Sequence, residues 1–341
     1  PAPGSPLPFV TIFTDHMFIM NYDDGQWWHD PLIVPYGPIE MDPSAMCLHY
    51  GQSVFEGMKA YRAQDGRILL FRPDKNMARL NVSNDRLCIP PIDEELAKAA
   101  IEKLVSVEKD WVPSEEGTSL YIRPFIIGVD PHIGVHPAHH LLFMVICCPV
   151  GAYYPEGLDP VKIYVETNYV RAVRGGMGFT KTAGNYAASL KAQDEAEKQD
   201  YTQVLWLDGV EHKYFEEVGT MNVFFVIDDE VVTPALQGSI LSGITRMSCI
   251  EMLKSWGMKV SERRLSIQEV ADAAAEGRLK EAFGTGTAAV ISPIGHLKWG
   301  DDIMEINNGE IGPLSQKLYD TLTGIQWGKI KDEFGWTVEV K

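Results

Sequence analysis

A lysine lies among glycines, hydroxyls and a tyrosine in the stretch Gly175-Gly176-Met177-Gly178-Phe179-Thr180-Lys181-Thr182-Ala183-Gly184-Asn185-Tyr186. A lysine held in a partly dry pocket sheds its proton and acts as an amine nucleophile, which is also how a cofactor is anchored covalently. Glycines on either side let the backbone take conformations closed to other residues and approach a ligand closely. The commoner fate of such a lysine is a solvated loop charge, so the reactive reading needs partners. Ser242-Gly243-Ile244-Thr245-Arg246 opens a helical pattern whose free amides and positive dipole end suit an anion, or serve only as a cap. Gly284-Thr285-Gly286-Thr287-Ala288 is a glycine-hydroxyl turn able to hold a phosphate or carboxylate oxygen, or merely to join two strands. Glu216 and Glu217 are adjacent on an extended stretch and face opposite ways. One turned inward requires a cationic or hydrogen-bonding partner, for which a protonated pyridine nitrogen would serve; the alternative is two solvated loop glutamates.

The elements that must position these residues are legible in part. Leu96, Ala100, Ile101, Leu104 and Val107 recur at helical spacing between Asp93 and Val112, after Pro90-Pro91 and before Pro113. Ser119 to Arg123 reads as a strand closed by Pro124, and Leu141 to Cys148 as a buried strand on which Cys147 and Cys148 point to opposite faces. Pro131 to Pro137 is a loop by its prolines. Strands are expected at Val161 to Val165, Val204 to Leu207, Asn222 to Ile227 and Val231 to Thr233, with turns at Asp208-Gly209 and Asp228-Asp229. Helices are expected at Ala187 to Lys198 and at Ile244 to Trp256, the latter with Ser242 as N-cap and Gly257 as stop. Ser266 with Glu269 forms a capping box, and a last helix carries Leu314, Leu318, Leu322 and Ile325. The mixed order of elements indicates α+β rather than regular βαβ winding.

A chain of 341 residues is expected to hold two domains, 1–150 and 161–341, joined by a linker over 151–160 that begins Gly151-Ala152-Tyr153-Tyr154-Pro155. The net charge of −17 argues against nucleic acid and anionic membrane as partners. The longest apolar run, Leu141 to Cys148, falls well short of the roughly 20 residues that cross a bilayer. The start, Pro1 to Pro6, has no basic stretch followed by an apolar one, so no secretory signal is expected. Five cysteines without paired spacing suit a reduced, cytoplasmic protein.

Taken together, the pieces resemble the branched-chain amino acid aminotransferases, pyridoxal 5′-phosphate enzymes of fold type IV. The carriers are Phe13-Thr14-Asp15-His16-Met17, His49-Tyr50, Phe55-Glu56-Gly57, Asn76-Met77-Ala78-Arg79, Tyr121-Ile122-Arg123-Pro124, Lys181 with Gly184-Asn185-Tyr186, Glu217 to Asn222, Gly243 to Arg246 and Gly286-Thr287-Ala288, spread over nearly the whole chain. The resemblance implies a two-domain α+β fold, with a smaller N-terminal α/β domain and a larger C-terminal domain built on a β-barrel-like core. It implies that Lys181 forms the Schiff base and moves the proton between the substrate Cα and cofactor C4′, and that Glu217 keeps the pyridine nitrogen protonated. Tyr186 would bond the phenolic oxygen. Arg79, the amides of Ile244 and Thr245, and Thr287 would bind the phosphate, and the Thr287 and Ala288 amides the substrate α-carboxylate. An apolar box of Phe13, Tyr50, Phe55, Tyr121 and Tyr153 would take leucine, isoleucine or valine, although such aromatics are more often plain core. Arg123 would receive the side-chain carboxylate of glutamate or 2-oxoglutarate.

In the resemblance the loop around Val135 reaches toward a partner subunit, so a homodimer is expected. His132, His136, His139 and His140 lack helical spacing and no metal is expected. Ala289 and Ser292 stand where some relatives carry a Cys-x-x-Cys redox pair, so thiol regulation is not expected. A D-amino acid aminotransferase, an aminodeoxychorismate lyase of the same fold, and a non-catalytic phosphate- or nucleotide-binding protein are the rival readings.

Overall fold

The computed structural model describes residues 5–151 and 158–341. Two compact units are formed, one from residues 1–153, 180–183 and 324–341, the other from residues 154–179 and 184–323. The lysine segment and the C-terminal stretch thus belong with the N-terminal half of the chain. Among the described residues no helix is long and apolar enough to cross a membrane.

In the N-terminal unit the strands are β1 (His16–Asp23), β2 (Trp27–Pro35), β3 (Ser53–Phe55), β4 (Met58–Arg62), β5 (Ile68–Phe71), β6 (Ser119–Gly128), β7 (His140–Val150) and the C-terminal strand Thr337–Val340. The sheet runs Thr337–Val340, β5, β4, β6, β7, β1, β2, with β3 also on β6. Helices Pro73–Arg86 and Glu94–Val107 contribute Leu80, Ile101 and Leu104 to a core shared with Phe18, Leu70, Ile122 and Phe143. Asp93 caps the second helix, its carboxylate accepting from Leu96 N at 2.9 Å. That helix stops at Val107 and a 3₁₀ turn, Lys109–Trp111, follows, short of the expected end at Val112.

Pro124 does not end β6 as expected. Pairing on one side of β6 passes from β4 at Leu120 to Ile122 to β3 at Phe125 to Ile127, and Pro124 falls in the gap between them, where its missing N–H interrupts no ladder bond on that side. Its carbonyl accepts Glu56 N at 2.8 Å. Cys147 and Cys148 are both buried, because Cys147 packs into the main core and Cys148 into a second cluster with Tyr121 and Val150.

The C-terminal unit holds β8 (Val161–Val165), β9 (Gln203–Leu207), β10 (Phe215–Val218), β11 (Asn222–Ile227), β12 (Glu230–Thr233), β13 (Lys259–Glu262), β14 (Leu279–Gly286), β15 (Val290–Trp299) and β16 (Asp302–Glu305). Their order is β10, β9, β8, β15, β14, β11, β12, β13, with β16 on β15. Pairs β8–β9, β8–β15 and β12–β13 are parallel and the others antiparallel, the mixed arrangement of an α+β fold. Val165, Leu205, Val218, Val223, Phe225 and Leu297 fill its core.

Helix Ile244–Ser255 begins one residue later than a Ser242 cap requires. Gly243 is the N-cap, with extended φ/ψ of −67° and 137°, and has no side chain with which to cap the first amides. At the next helix, Ile267–Ala275, Ser266 Oγ accepts Glu269 N at 3.0 Å, but the Glu269 carboxylate pairs with Arg263, so half of the capping box forms. The helix expected over Ala187 to Lys198 is Leu190–Glu197, preceded by a short one at Ala183–Ala187.

Candidate active site

In the N-terminal unit the lysine stretch is pinned as a fragment of extended chain against β3. Lys181 O accepts Phe55 N at 3.0 Å, Thr182 Oγ1 donates to Ser53 O at 2.5 Å, and Val54 and Thr182 form an isolated bridge. Lys181 N donates to Ser83 Oγ at 2.9 Å. Ser83 shares one face of helix Pro73–Arg86 with Asn76 and Arg79, at the spacing that aligns side chains along a helix. From that face Arg79 Nε and Nη2 donate to Glu56 at 2.8 and 2.7 Å, and Asn76 Nδ2 donates to the same carboxylate at 2.9 Å. Glu56 is fully buried, and a carboxyl group there needs the bidentate and amide donors that Arg79 and Asn76 supply.

Lys181 Nζ lies 5.0 Å from the centre of the Phe55 ring, and the Arg123 guanidinium carbon lies 4.6 Å from the same ring. Arg123 Nη2 donates to the Tyr121 hydroxyl at 2.8 Å, while its Nε is buried with no acceptor. The Tyr121 hydroxyl also explains Gly57, where a Cβ would come within 2.4 Å of it. Phe13 packs against the cluster of Tyr121, Cys148 and Val150 and stacks on Tyr36 at 5.0 Å. Tyr50 and Val135 are exposed, at 40% and 84%, and the Tyr50 ring packs beside His49. Tyr153 lies outside the described residues.

The C-terminal unit carries the other candidates. Glu217, on β10, is buried and pairs with Arg171, whose Nη2 stands 2.5 Å from its Oε2. The same nitrogen donates to Gly178 O at 3.1 Å and to Ser239 O. Gly178 therefore packs tightly for a reason other than ligand approach, since its Cβ would meet Ser239 O at 2.3 Å and Ala172 Cβ at 2.4 Å. Gly175 has φ of +80°, which favours glycine. Tyr186 follows Asn185, whose Nδ2 donates to Met177 O at 2.9 Å.

Asn222 shapes the anion-accepting turn. Its Nδ2 donates to Leu241 O at 2.9 Å, and a Cβ on Gly243 would stand 2.0 Å from its Oδ1, so only glycine fits before the amides of Ile244 and Thr245. Arg246 turns away from that turn, donating to Glu262 Oε1 at 2.8 Å and Pro234 O at 3.2 Å. Thr287 and Ala288 occupy the tight loop between β14 and β15, closed by the Gly286–Val290 pair, and Thr285 Oγ1 is buried without a partner. Val290 follows at φ +64°, a strained setting for a β-branched residue.

The N-terminal unit offers an amine beside an aromatic ring. The C-terminal unit offers a buried carboxylate, which suits a ring nitrogen, and a glycine-capped helix start, which suits an anionic phosphate. The model of the family described as "Amino-transferase class IV" matches residues 53–297. The chain belongs to the class IV aminotransferases. Among curated relatives of this aminotransferase, branched-chain-amino-acid aminotransferase 2 of Bacillus subtilis strain 168 is 61% identical over 334 residues, covering 98% of this chain and 92% of the relative. Branched-chain-amino-acid transaminase 1 of the same organism is 58% identical, covering 100% and 96%. Solved structures agree: the Escherichia coli branched-chain amino acid aminotransferase superposes with a TM-score of 0.79 at 27% identity, covering 96% of this chain and all of that one. The T.th. branched-chain amino acid aminotransferase complexed with N-(5′-phosphopyridoxyl)-L-glutamate gives 0.79 at 26% identity, covering 97% and 100%. The aminotransferase has the two-domain α+β architecture of fold type IV, and the rival readings gain no support from these relatives.

Glu56, Ser83 and Arg171 were not singled out by sequence reasoning as site residues. Asn76, Arg79 and Ser83 at helical spacing were a signal for the first two. Arg171, ten residues before Lys181, carries no local mark, since its partners come from three separate segments.

Asp130, His136 and His139 offer ligand atoms within 4.8 Å of one another. Those groups are engaged already: Asp130 accepts the amides of His139 and His140, His136 bonds His132 and Pro137 O, and His139 bonds Asp24.

Proposed function

We propose that this aminotransferase exchanges the amino group of L-leucine, L-isoleucine or L-valine with 2-oxoglutarate, giving the branched-chain 2-oxo acid and L-glutamate in two half-reactions. The observation that carries the reading is the Phe55 ring shared by the Lys181 amine and the Arg123 guanidinium. An apolar ring beside the reacting amine suits a branched aliphatic side chain, and the arginine, with one buried N–H unanswered, suits the side-chain carboxylate of the second substrate.

Pyridoxal 5′-phosphate, when bound, supplies the carbonyl carbon that the amine attacks and the ring that accepts the electron pair released at the substrate Cα. Lys181 provides the anchoring amine and then carries a proton to and from the substrate Cα. Glu217 holds the proton on the ring nitrogen, Tyr186 bonds the phenolic oxygen, and Arg79, Ile244 N, Thr245 N and Thr287 hold the phosphate. Thr287 and Ala288 amides orient the substrate carboxylate. Phe13, Phe55 and Tyr121 exclude water around the side chain, strengthening each of these contacts. Glu56 keeps Arg79 aimed and Ser83 fixes the backbone at Lys181, as their bonds support.

Exposed Ile133 and Val135 support a homodimer, whose partner loop and Tyr50 would complete the substrate box. The five free cysteines suit a cytoplasmic setting. Replacement of Lys181 by Ala is expected to abolish both the visible absorbance of a lysine-bound cofactor and amino transfer; a variant with full turnover overturns the assignment. In a panel of L-leucine, D-alanine and aminodeoxychorismate, only L-leucine is expected to be consumed.

A further inference from the structure

The C-terminal unit contains a cavity of about 160 Å³ lined by Glu216 of β10 and by Ser239 and Ile240. By volume it holds about five waters. Its apolar wall is Val210, Phe215, Pro234, Ala235 and Ile240. Two charged features face it without a full complement. Glu216 Oε1 accepts the Ser239 hydroxyl at 2.8 Å, but Oε2 is buried with no donor. Arg174, at the rim, donates to Gln237 Oε1, a neutral acceptor, at 2.6 Å and forms no salt bridge among the described residues. The other charged groups of the wall are committed: Asp208 to the amides of Val210, Glu211, Lys213 and Tyr214, and Arg264 to Glu211 and the Tyr214 ring.

We propose that this cavity is a second binding site, for a small free amino acid, whose ammonium meets Glu216 Oε2 and whose carboxylate meets Arg174. A cation or donor is what an unanswered buried carboxylate oxygen lacks, and an anion is what the guanidinium lacks. Joining the two through an apolar wall selects a compact zwitterion over a simple amine or a simple acid. Burial raises the carboxyl of Glu216 above its ordinary range, against the Ser239 bond and the charges of Arg171 and Arg174, so an ammonium ligand relieves a cost already present. The site is coupled to the catalytic end of the unit. Ser239 gives its hydroxyl to Glu216 and its carbonyl to Arg171, which pairs with Glu217. Occupancy is therefore expected to be felt at the ring-nitrogen carboxylate.

The test uses the holoenzyme reduced with borohydride, which blocks Lys181, and equilibrium dialysis against glycine, L-alanine and L-valine. Saturable binding of at least one probe is expected, weakened about tenfold or more by Glu216→Gln and by Arg174→Gln, as loss of one charged hydrogen bond implies, and retained in Arg123→Gln. No saturable binding to the unsubstituted enzyme, or binding that both cavity substitutions leave unchanged, overturns the proposal. Arg174 is at the rim, so its variant is expected to fold, and its melting temperature checks this. Retention of cofactor after reduction tests the transaminase reading separately; were none retained, dialysis of the untreated chain would still decide the cavity.

Discussion

In the N-terminal unit donors converge on a carboxylate: Glu56 takes two N–H groups from Arg79 and a third from Asn76. In the C-terminal unit acceptors converge on a guanidinium: Arg171 Nη2 meets Glu217, Gly178 O and Ser239 O. Both are buried Arg–Glu pairs, yet the hub is the acid in one and the base in the other. The hub ties elements together, and its partner is the member that the proposed function assigns to the cofactor, Arg79 to the phosphate and Glu217 to the ring nitrogen.

The largest effect is expected from removing the more enclosed hub. Glu56→Ala leaves the Arg79 charge buried without its carboxylate and is expected to cost about 3–5 kcal/mol, read from denaturant unfolding. An unchanged midpoint would break the hub assignment. Arg171→Met strips Glu217 of its ion pair and loosens Gly178 and Ser239, with about 3 kcal/mol lost and a weaker hold on the cofactor, measured by cofactor titration. A variant that bound cofactor as tightly as the unsubstituted enzyme would remove Arg171 from the site. Gly178→Ala tests whether the tie through Arg171 depends on close packing, because the added methyl meets Ser239 O; about 2 kcal/mol of destabilisation is expected in thermal unfolding.

Asp208 extends the comparison to a hub carboxylate served only by backbone. Burial pushes its carboxyl up, but the amides of Tyr214, Glu211, Lys213 and Val210 outweigh this and hold it at about 2. The folded value lies below the unfolded one, about 3.9, so the stabilisation is complete above pH 4 or so and lost as pH falls toward about 2. Asp208→Asn is expected to cost about 1.5 kcal/mol at neutral pH and to flatten the acid limb of the stability profile in that window.

Much of the strand framework was legible, because runs such as Asn222 to Ile227 are apolar throughout and bounded by turn residues. Pro124 misled because a proline ends a strand only where its N–H would have paired, and the gap between β3 and β4 is a property of the sheet. Ser242 misled because a hydroxyl beside a helix start is a cap only if its backbone is in the right place, and Gly243 holds that place. The glycines before Lys181 looked like room for a ligand, whereas Gly178 makes room for Ser239, a residue about sixty positions away.

By itself the sequence determined the chemistry available: a lysine among glycines, a pair of adjacent glutamates, two glycine turns, and the ordered motifs of an aminotransferase family. Those are local or additive properties, written in residue type and short spacing. Tertiary structure alone decided which glutamate does which work. Glu216 and Glu217 are neighbours with the same side chain, and only the pleat of β10 sends one to Arg171 and the other to the cavity beneath Ser239. Burial and partnership are set by chain segments far apart in sequence, which is why Arg171 and Glu56 acquire their roles only once the chain is folded.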